Sequence, residues 1–365
     1  MPCTGTYWIC PGWRLHCAKS PNSRMNKPTT AVSKTVSWVA KRGLGYLIGI
    51  ACLIWVFHDV QRARILEHLR GVRWAWVASA VFMDVFGYLC QGWRWQLLLR
   101  PIGYLPVLQT TQAIYVGLFV NEILPMRVGE IARAYLVSRW LRVEFVRLIP
   151  SMAVERFFDG VWLAVGIGLA AIFVPLPRSL LKAADALGIL VLIAAALLVF
   201  VVFRTRDPAS EALPESKTGA PRGWLRSSVR RLAHDLRSIG TSRLFYFAFA
   251  LSLVFMLLEA LAFWFVMRAY GLRQSFGVGL VVFLIVHLGT ALPNAPANVG
   301  TYQFFTVVGL TLFGVDKTLA SAFSLAVFVI LTVPLWAIGL VALSRTGRTL
   351  HSLRVEIDRA MLRQK

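Results

Sequence analysis

The stretch 121–133, Asn-Glu-Ile-Leu-Pro-Met-Arg-Val-Gly-Glu-Ile-Ala-Arg, interrupts a segment of the chain that is otherwise apolar. Residues 110–124 are apolar up to the proline, and residues 131–140 resume the apolar pattern. Proline lacks a backbone N–H and ends helices, whereas glycine lets two backbones approach closely. The stretch therefore predicts two short apolar helices joined by a break.

A second break of the same kind lies at residues 293–300, Pro-Asn-Ala-Pro-Ala-Asn-Val-Gly, between the apolar runs 277–292 and 301–313. The run after it has 13 residues, and a helix needs roughly 20 to cross a bilayer. Interrupted apolar segments in corresponding positions of two halves are typical of a transport site between repeats. We therefore predict two Pro/Gly-broken re-entrant hairpins, one in each half of the chain.

The composition is that of a membrane protein. Hydrophobic residues make up 57% of the chain and charged residues 15%, whereas soluble domains carry roughly 45–50% and about 25%. Further apolar runs are candidate spans: 44–58, 74–99, 151–174, 186–203, 244–267 and 319–343. The predicted fold class is all-α, a polytopic transmembrane helical bundle with about 6 full spans besides the two hairpins.

The net charge of +22 is concentrated outside the apolar runs. Residues 1–43 hold seven basic and no acidic residues, residues 204–243 hold nine and four, and residues 345–365 hold six and two. Basic segments beside membrane helices face the cytoplasm and attract anionic phospholipid headgroups, so we expect membrane lipids rather than nucleic acid as partners. The predicted organisation is a leader (1–43), a first membrane half (44–203), a cytoplasmic linker (204–243), a second membrane half (244–344) and a tail (345–365).

Three segments outside the spans have hydrophobic residues at helical spacing and predict amphipathic helices on the membrane surface: 59–73, 224–239 in the linker, and the tail. Residues 1–24 show no such periodicity and no signal-peptide pattern, so we expect translation to begin at Met25. We expect no disulfide framework from the cysteines of this leader.

The basic segments also set the direction of each hairpin. We place the protein in the plasma (inner) membrane, with the leader, the linker and the tail in the cytoplasm. Spans 44–58 and 74–99 then lead the chain out and back to the cytoplasmic side, so the first hairpin enters the membrane from the cytoplasm. Span 244–267 leads outward, so the second hairpin enters from the opposite side and is inverted. The four arginines of 59–73 then lie outside, against the charge rule. If the broken segments crossed the membrane fully instead of re-entering, the two ends of the chain would lie on the same sides as before. Charge alone therefore leaves both alternatives open, re-entrant hairpins and full crossings.

Polar and charged residues at the first break are candidates for substrate binding, because ionisable groups inside apolar segments are costly. They are Asn121, Glu122, Arg127, Gly129, Glu130 and Arg133. Arg127 and Arg133 suit a phosphate through forked hydrogen bonds, and the N-terminus of the resumed helix offers N–H groups to an anion. Glu130 and Arg133 can pair with each other. The alternative is a structural ion pair that caps a broken helix.

Two further groups complete the candidate site. Glu155, Arg156 and Asp159 lie inside span 151–174, where the carboxylates could pair with arginines of the first break, relay protons or form a structural ion pair. The second break contributes polar but uncharged residues, for which turn chemistry is the alternative role: Pro293, Asn298, Gly300, Tyr302 and Gln303. Asp84, Glu259 and His287 stand alone in the sequence and are interpreted as structural.

The sequence shows no catalytic pattern. It has no Walker loop, no His/Cys metal spacing and no Gly-x-Ser-x-Gly elbow. No soluble segment is long enough for a catalytic domain. These absences argue against an ATP-driven transporter or a stand-alone hydrolase, and we expect no cofactor.

Four pieces of the chain, in order, carry a family resemblance. Arg94-Trp-Gln-Leu-Leu98 is similar to Arg-Trp-x-x-Leu-Leu, and Asn121 to Leu136 matches N-x-x-x-P-x-x-x-G-E-x-x-R-x-x-L. Glu155 to Asp159 matches Glu-Arg-x-x-Asp, and residues 293–300 are similar to Pro-x-x-Pro-Gly-Gly-x-Gly. Over about residues 44–344 the chain thus resembles the lysylphosphatidylglycerol synthase transmembrane-region family, also called flippase-like.

The resemblance implies a bundle of about eight or more helical segments that translocates or handles a polar lipid or a lipid-linked intermediate. The second break departs from the family, whose glycines fall on Ala297 and Asn298 and whose Arg-Glu falls on Tyr302-Gln303. The family's aminoacyl-transfer domain has no counterpart here, so we expect no lipid lysinylation. The alternatives are a membrane-embedded transferase, an accessory subunit of a lipid- or glycolipid-modifying enzyme, and a scaffold that recruits partners through its basic segments.

Overall fold

The computed structural model describes residues 46–58, 71–124, 128–173, 243–291 and 295–347, with isolated helical positions between 178 and 197. Every regular element in these ranges is helical, so the predicted all-α class is confirmed. The α-helices in them are α1 (Tyr46–Phe57), α2 (Trp74–Leu99), α3 (Val107–Ile123), α4 (Val128–Leu141), α5 (Ile149–Phe173), α6 (Arg243–Ala269), α7 (Phe276–Thr290), α8 (Thr301–Thr311) and α9 (Lys317–Ser344). Short 3-10 turns occupy Phe145–Leu148 and Pro296–Asn298.

The predicted spans 74–99, 151–174, 244–267 and 319–343 correspond to α2, α5, α6 and α9, with ends that differ by one or two residues at most. Local chemistry fixes some of these ends. Asp316 precedes α9 and its carboxylate accepts hydrogen bonds from the backbone N–H groups of Thr318 and Leu319, as an N-cap does. The leader with Met25, residues 59–70, most of span 186–203, the linker helix and the tail after Gly347 lie outside the described residues.

The helices before and after the first break form an antiparallel pair. Gly117 of α3 lies against Gly129 and Arg133 of α4, and a Cβ placed on Gly129 would come within 1.8 Å of the Gly117 carbonyl oxygen. Only two glycines permit so close a backbone approach. The break is shorter than predicted, because α4 begins at Val128 and therefore includes Gly129 and Glu130.

The helices before and after the second break are also antiparallel neighbours. Gly289 of α7 lies against the ring of Phe305 on α8, and Gly309 of α8 lies against Val282 of α7. The turn Pro296–Asn298 of this break contacts α3. Since α3 also leads into the first break, both interruptions of the chain adjoin the same helix.

The helix α6 packs most extensively against α2, and α9 packs against α3 and α8. Among the described residues, α6 and α9 are long and apolar enough on their own to cross a bilayer. One face of α9 exposes large apolar side chains at helical spacing: Val329, Val333, Trp336 and Leu340. An apolar face of this kind suits contact with lipid. The number of full spans and the re-entrance of the hairpins stay predictions.

Candidate functional site

Three helices bring six charged side chains together beside the first break. Arg94 lies on α2, Glu130 and Arg133 lie on α4, and the other three lie on α5: Glu155, Arg156 and Asp159. Hydrogen bonds and ion pairs link them into one network. Three arginines face three carboxylates, so the network is neutral when all six side chains are ionised.

Glu155 is the centre of this charge network. Its Oε1 accepts a hydrogen bond from Nη2 of Arg94 at 3.0 Å, and its Oε2 accepts one from Nη2 of Arg133 at 2.8 Å. Glu155 and Arg94 are both 0% exposed, and Arg133 is 4% exposed. Charges this deeply buried persist only when they are paired and hydrogen-bonded, so Glu155 joins α2, α4 and α5 at one point.

Arg94 connects the network to α6. Its Nη1 donates to the carboxylate of Asp159 and, at 3.0 Å, to the hydroxyl of Ser252 on α6. Its guanidinium also lies 5.6 Å from the ring centroid of Phe255. The Nε of Arg94 is buried without a hydrogen-bond partner among the described residues. Arg94 is thus fixed by contacts with two other helices, and sequence reasoning noticed it only as part of a motif.

Arg133 is fixed by an aromatic ring as well as by Glu155. Its guanidinium lies 4.7 Å from the ring centroid of Trp95, a cation–π contact. The indole Nε1 of Trp95 in turn donates to the hydroxyl of Ser151 at 3.2 Å. Glu130 and Arg133, which can pair within α4 by their spacing, each pair with α5 in the structure: Arg133 with Glu155, and Glu130 with Arg156. Arg133 is not open to a ligand, since it is buried and paired.

Arg156 lies at the exposed end of the network. Its side chain is 46% exposed, and it donates to Oε1 of Glu130 at 2.8 Å and to Oδ2 of Asp159 at 3.4 Å. The side chains of Glu130 and Asp159 are 23% and 17% exposed. The network therefore runs from a buried centre at Glu155 to an accessible arginine held by two carboxylates.

Asn121 and Glu122 link the end of α3 to its neighbours. The Oδ1 of Asn121 accepts a hydrogen bond from the backbone N–H of Gly129 at 2.7 Å and so satisfies one of the free donors at the start of α4. The Oε2 of Glu122 accepts one from the indole Nε1 of Trp336 on α9 at 3.2 Å. Both residues thus hold the first hairpin in place, and Arg127 lies outside the described residues.

The second break is shaped by backbone geometry rather than charge. Ala297, Asn298 and Gly300 have φ angles of 56°, 53° and 91°, a left-handed region that glycine adopts most readily. The backbone N–H of Gly300 donates to Oε1 of Gln303 at 2.7 Å. A Cβ on Gly300 would come within 2.0 Å of the Gly49 carbonyl oxygen, so α1 crosses directly over this break.

The remaining predicted residues of the second break have separate places. The Tyr302 ring packs 5.6 Å from the ring of Phe328 on α9, and Pro293 lies outside the described residues. Among the described residues, no group of three or more His, Cys, Asp or Glu side chains could hold a metal ion. The structure thus brings together five of the predicted site residues in the charge network. Of the predicted second-break residues, Asn298 lies in the turn Pro296–Asn298, Gly300 precedes α8, and Tyr302 and Gln303 lie on α8.

Comparisons with known proteins identify relatives of this chain. The model of the family described as "Lysylphosphatidylglycerol synthase TM region" matches residues 43–339. Two proteins of Methanothermobacter thermautotrophicus, each named "UPF0104 membrane protein", are similar along most of their length. One is 25% identical over 298 residues, which cover 77% of this chain and 85% of that protein. The other is 22% identical over 296 residues, which cover 76% of this chain and 87% of that protein.

A third similarity is shorter. The protein named "Glycosyltransferase AglD" from Haloferax volcanii is 29% identical over 133 residues, which cover 35% of this chain and 21% of that protein. The likeness therefore concerns a part of each chain.

Proposed function

The chain belongs to the lysylphosphatidylglycerol synthase TM region family, and from this premise we propose that it translocates or handles a polar lipid or a lipid-linked intermediate. The chain is accordingly a helical membrane protein. The observation that carries the proposal is the charge network, which continues from a buried ion-pair centre to an exposed arginine beside a helix break. Charges inside a membrane bundle are costly and mark substrate pathways.

Arg156 is the residue that we assign to the lipid headgroup. A phosphate oxygen offers a guanidinium the same kind of charge-assisted hydrogen bond that a carboxylate offers. A phosphorylated headgroup could therefore replace Glu130 or Asp159 as a partner of Arg156, whose side chain is 46% exposed. Arg133 is buried against Glu155, so we assign it to positioning rather than to phosphate contact. Arg127 precedes α4 in the sequence and is proposed as a second headgroup contact.

The lengths of the hairpin helices support a pathway between them. α3 has 17 residues and α8 has 11, which at 1.5 Å per residue correspond to ~25 Å and ~17 Å. The hydrocarbon core is about 30 Å thick, so both helices are too short to cross it unless the bilayer thins locally. These lengths favour re-entrant hairpins over full crossings, with the breaks at membrane depth.

Reconstitution tests the proposal. The full-length protein is placed in liposomes that contain trace fluorescent phosphatidylglycerol, phosphatidylethanolamine or a glycosylated polyprenyl phosphate, and a membrane-impermeant quencher reports the outer leaflet. We expect faster movement between leaflets than in protein-free liposomes for at least one anionic headgroup. Rates equal to those of protein-free liposomes for every lipid of the panel would contradict the proposal.

The orientation is also proposed. We place the chain in the plasma (inner) membrane with the leader, the linker 204–243 and the tail in the cytoplasm, because these segments hold most of the excess positive charge. Single cysteines introduced into the linker and the tail should react with an impermeant maleimide only after the cells are lysed. Labelling of either position in intact cells would refute this orientation.

A second candidate function is an accessory role in a lipid- or glycolipid-modifying enzyme, and the similarity to a protein named as a glycosyltransferase favours it. Glu155 and Asp159 are poor candidates for general bases in such an enzyme, because each is held by at least one buried arginine. The chain would therefore position or deliver the lipid for a partner. Co-purification of a transferase from native membranes, together with loss of its lipid-linked product on deletion of this chain, would support this role over transport.

A further inference from the structure

A second buried polar group lies outside the charge network, between α2 and α6. Asp84 of α2 is 3% exposed. Its carboxyl group lies within hydrogen-bonding range of the carboxyl group of Glu259 on α6. Both residues stand alone in the sequence, where we interpret them as structural or interfacial, but the structure brings them together in the most extensive contact among the described helices.

The backbone is shaped to admit the Glu259 side chain. Gly87 lies one turn after Asp84 on the same face of α2, and a Cβ at Gly87 would come within 2.7 Å of Oε1 of Glu259. That Oε1 atom is buried and has no hydrogen-bond partner among the described residues. Any larger residue at position 87 would force the Glu259 carboxyl group to move.

Among the described residues, the titratable groups found around the pair supply no positive charge. They are Tyr88 of α2, Tyr115 of α3 and Tyr302 at the start of α8, while Glu122 of α3 acts on Tyr88. The hydroxyl of Tyr115 is itself buried without a partner among the described residues, within range of the charges of both carboxyl groups. Arg94 lies ten positions after Asp84 on α2, or ~15 Å along the helix, and its Nη atoms are bound to Asp159, Glu155 and Ser252.

An ionised carboxylate only accepts hydrogen bonds, so two carboxyl groups bond to each other only if one of them carries a proton. Two buried like charges without a counter-ion also repel each other strongly. From this geometry we infer that Asp84 and Glu259 form a proton-binding site inside the helix bundle and hold one proton between them. A metal ion fits less well, since no group of three candidate metal ligands occurs among the described residues.

The position of the pair connects it to the second break. Tyr302, the second residue of α8, lies within range of both carboxyl charges. Release of the proton would add a negative charge within electrostatic range of Tyr302. The use of this proton in lipid movement rests on the proposed function, whereas the presence of the proton does not.

Infrared spectroscopy of the full-length protein in lipid nanodiscs tests the site. At neutral pH we expect a carbonyl stretching band from a protonated carboxyl group that shifts in heavy water. The band should lose the intensity of one carboxyl group in the D84N/E259Q double variant and keep it in D316N, which removes an exposed helix-capping carboxylate. The absence of the band in the wild-type protein, or its full retention in the double variant, would overturn the inference.

The wild-type spectrum is informative even if the double variant does not fold.

A separate measurement addresses coupling: lipid movement in liposomes is followed with and without a pH gradient, for the wild-type protein and E259Q. We expect the gradient to change the wild-type rate severalfold and to leave E259Q unaffected. If the infrared band is present but the protein moves no lipid, the proton site is supported and the proposed function is contradicted. A wild-type rate of lipid movement that is the same with and without the pH gradient would contradict coupling between the proton site and lipid movement.

Discussion

The first break, between α3 and α4, adjoins six charged side chains. The second, between α7 and α8, is uncharged, and Tyr302 beside it lies within electrostatic range of the Asp84–Glu259 carboxyl pair. Both breaks join antiparallel helices that meet at glycines. The shared backbone arrangement therefore does not dictate the chemistry, which comes from the neighbouring helices α2, α5 and α6. We attribute headgroup binding to the first break and proton exchange to the Asp84–Glu259 pair between α2 and α6.

Glu155→Gln should have the largest effect on stability. It removes the negative charge that pairs with both Arg94 and Arg133 and leaves buried positive charge uncompensated, a loss of about 3–5 kcal/mol. Glu130→Gln is the matched control, because its partner Arg156 is half-exposed and exposed pairs contribute about 0–1 kcal/mol. Thermal unfolding of the purified proteins in detergent measures both. Equal shifts in the unfolding midpoint would show that the network has no buried centre.

Gly129→Ala should have the next largest effect. Its Cβ would meet the Gly117 backbone carbonyl, which cannot move unless the first hairpin opens, so we expect a loss of roughly 1–3 kcal/mol. Gly289→Ala meets the Phe305 ring, which can rotate, and should cost less. Gly168→Ala has nothing within 4 Å and is the control. The same unfolding assay should show the largest loss of stability for Gly129→Ala, a smaller loss for Gly289→Ala and the smallest for Gly168→Ala. A larger loss for Gly289→Ala than for Gly129→Ala would contradict the tighter backbone contact in the first hairpin.

Ala297→Gly should have the smallest effect and the opposite sign. Alanine at φ 56° occupies a left-handed conformation that costs about 1–2 kcal/mol. Glycine removes this cost, but it makes the unfolded chain more flexible and so destabilises the folded protein by about 0.4–1 kcal/mol. We therefore expect the free energy of unfolding to rise by about 0.5–1 kcal/mol. Ala295→Gly is the control, because Ala295 has φ −56° and gains nothing. A lower unfolding midpoint for Ala297→Gly would contradict the left-handed turn.

Much of the fold could be predicted from the sequence, because hydrophobic runs and Pro/Gly breaks depend on local composition. The ends of α2, α5, α6 and α9 and the positions of both breaks follow from such runs. The second-break glycines of the family also fall on Ala297 and Asn298, the two non-glycine residues with left-handed φ in that turn.

The partners of the charged residues could not be predicted in the same way. Spacing on one helix suggested a Glu130–Arg133 pair, but each of the two residues pairs with α5, and the sequence does not show which helices are neighbours. Arg94 could have been found, since an arginine inside an apolar span is a functional candidate by default. The Asp84–Glu259 pair joins residues 175 positions apart, and only the packing of α2 against α6 reveals it.

The measurement that tests the central claim most directly compares lipid movement catalysed by Arg156→Gln and Arg139→Gln in liposomes. Arg139 is an exposed arginine near the end of α4 and serves as the matched control. We predict that Arg156→Gln slows movement of an anionic lipid by about tenfold or more, since one charge-assisted hydrogen bond contributes about 1.5–3 kcal/mol, while Arg139→Gln retains the wild-type rate. Equal rates for both variants would contradict the assignment of the headgroup to the first break.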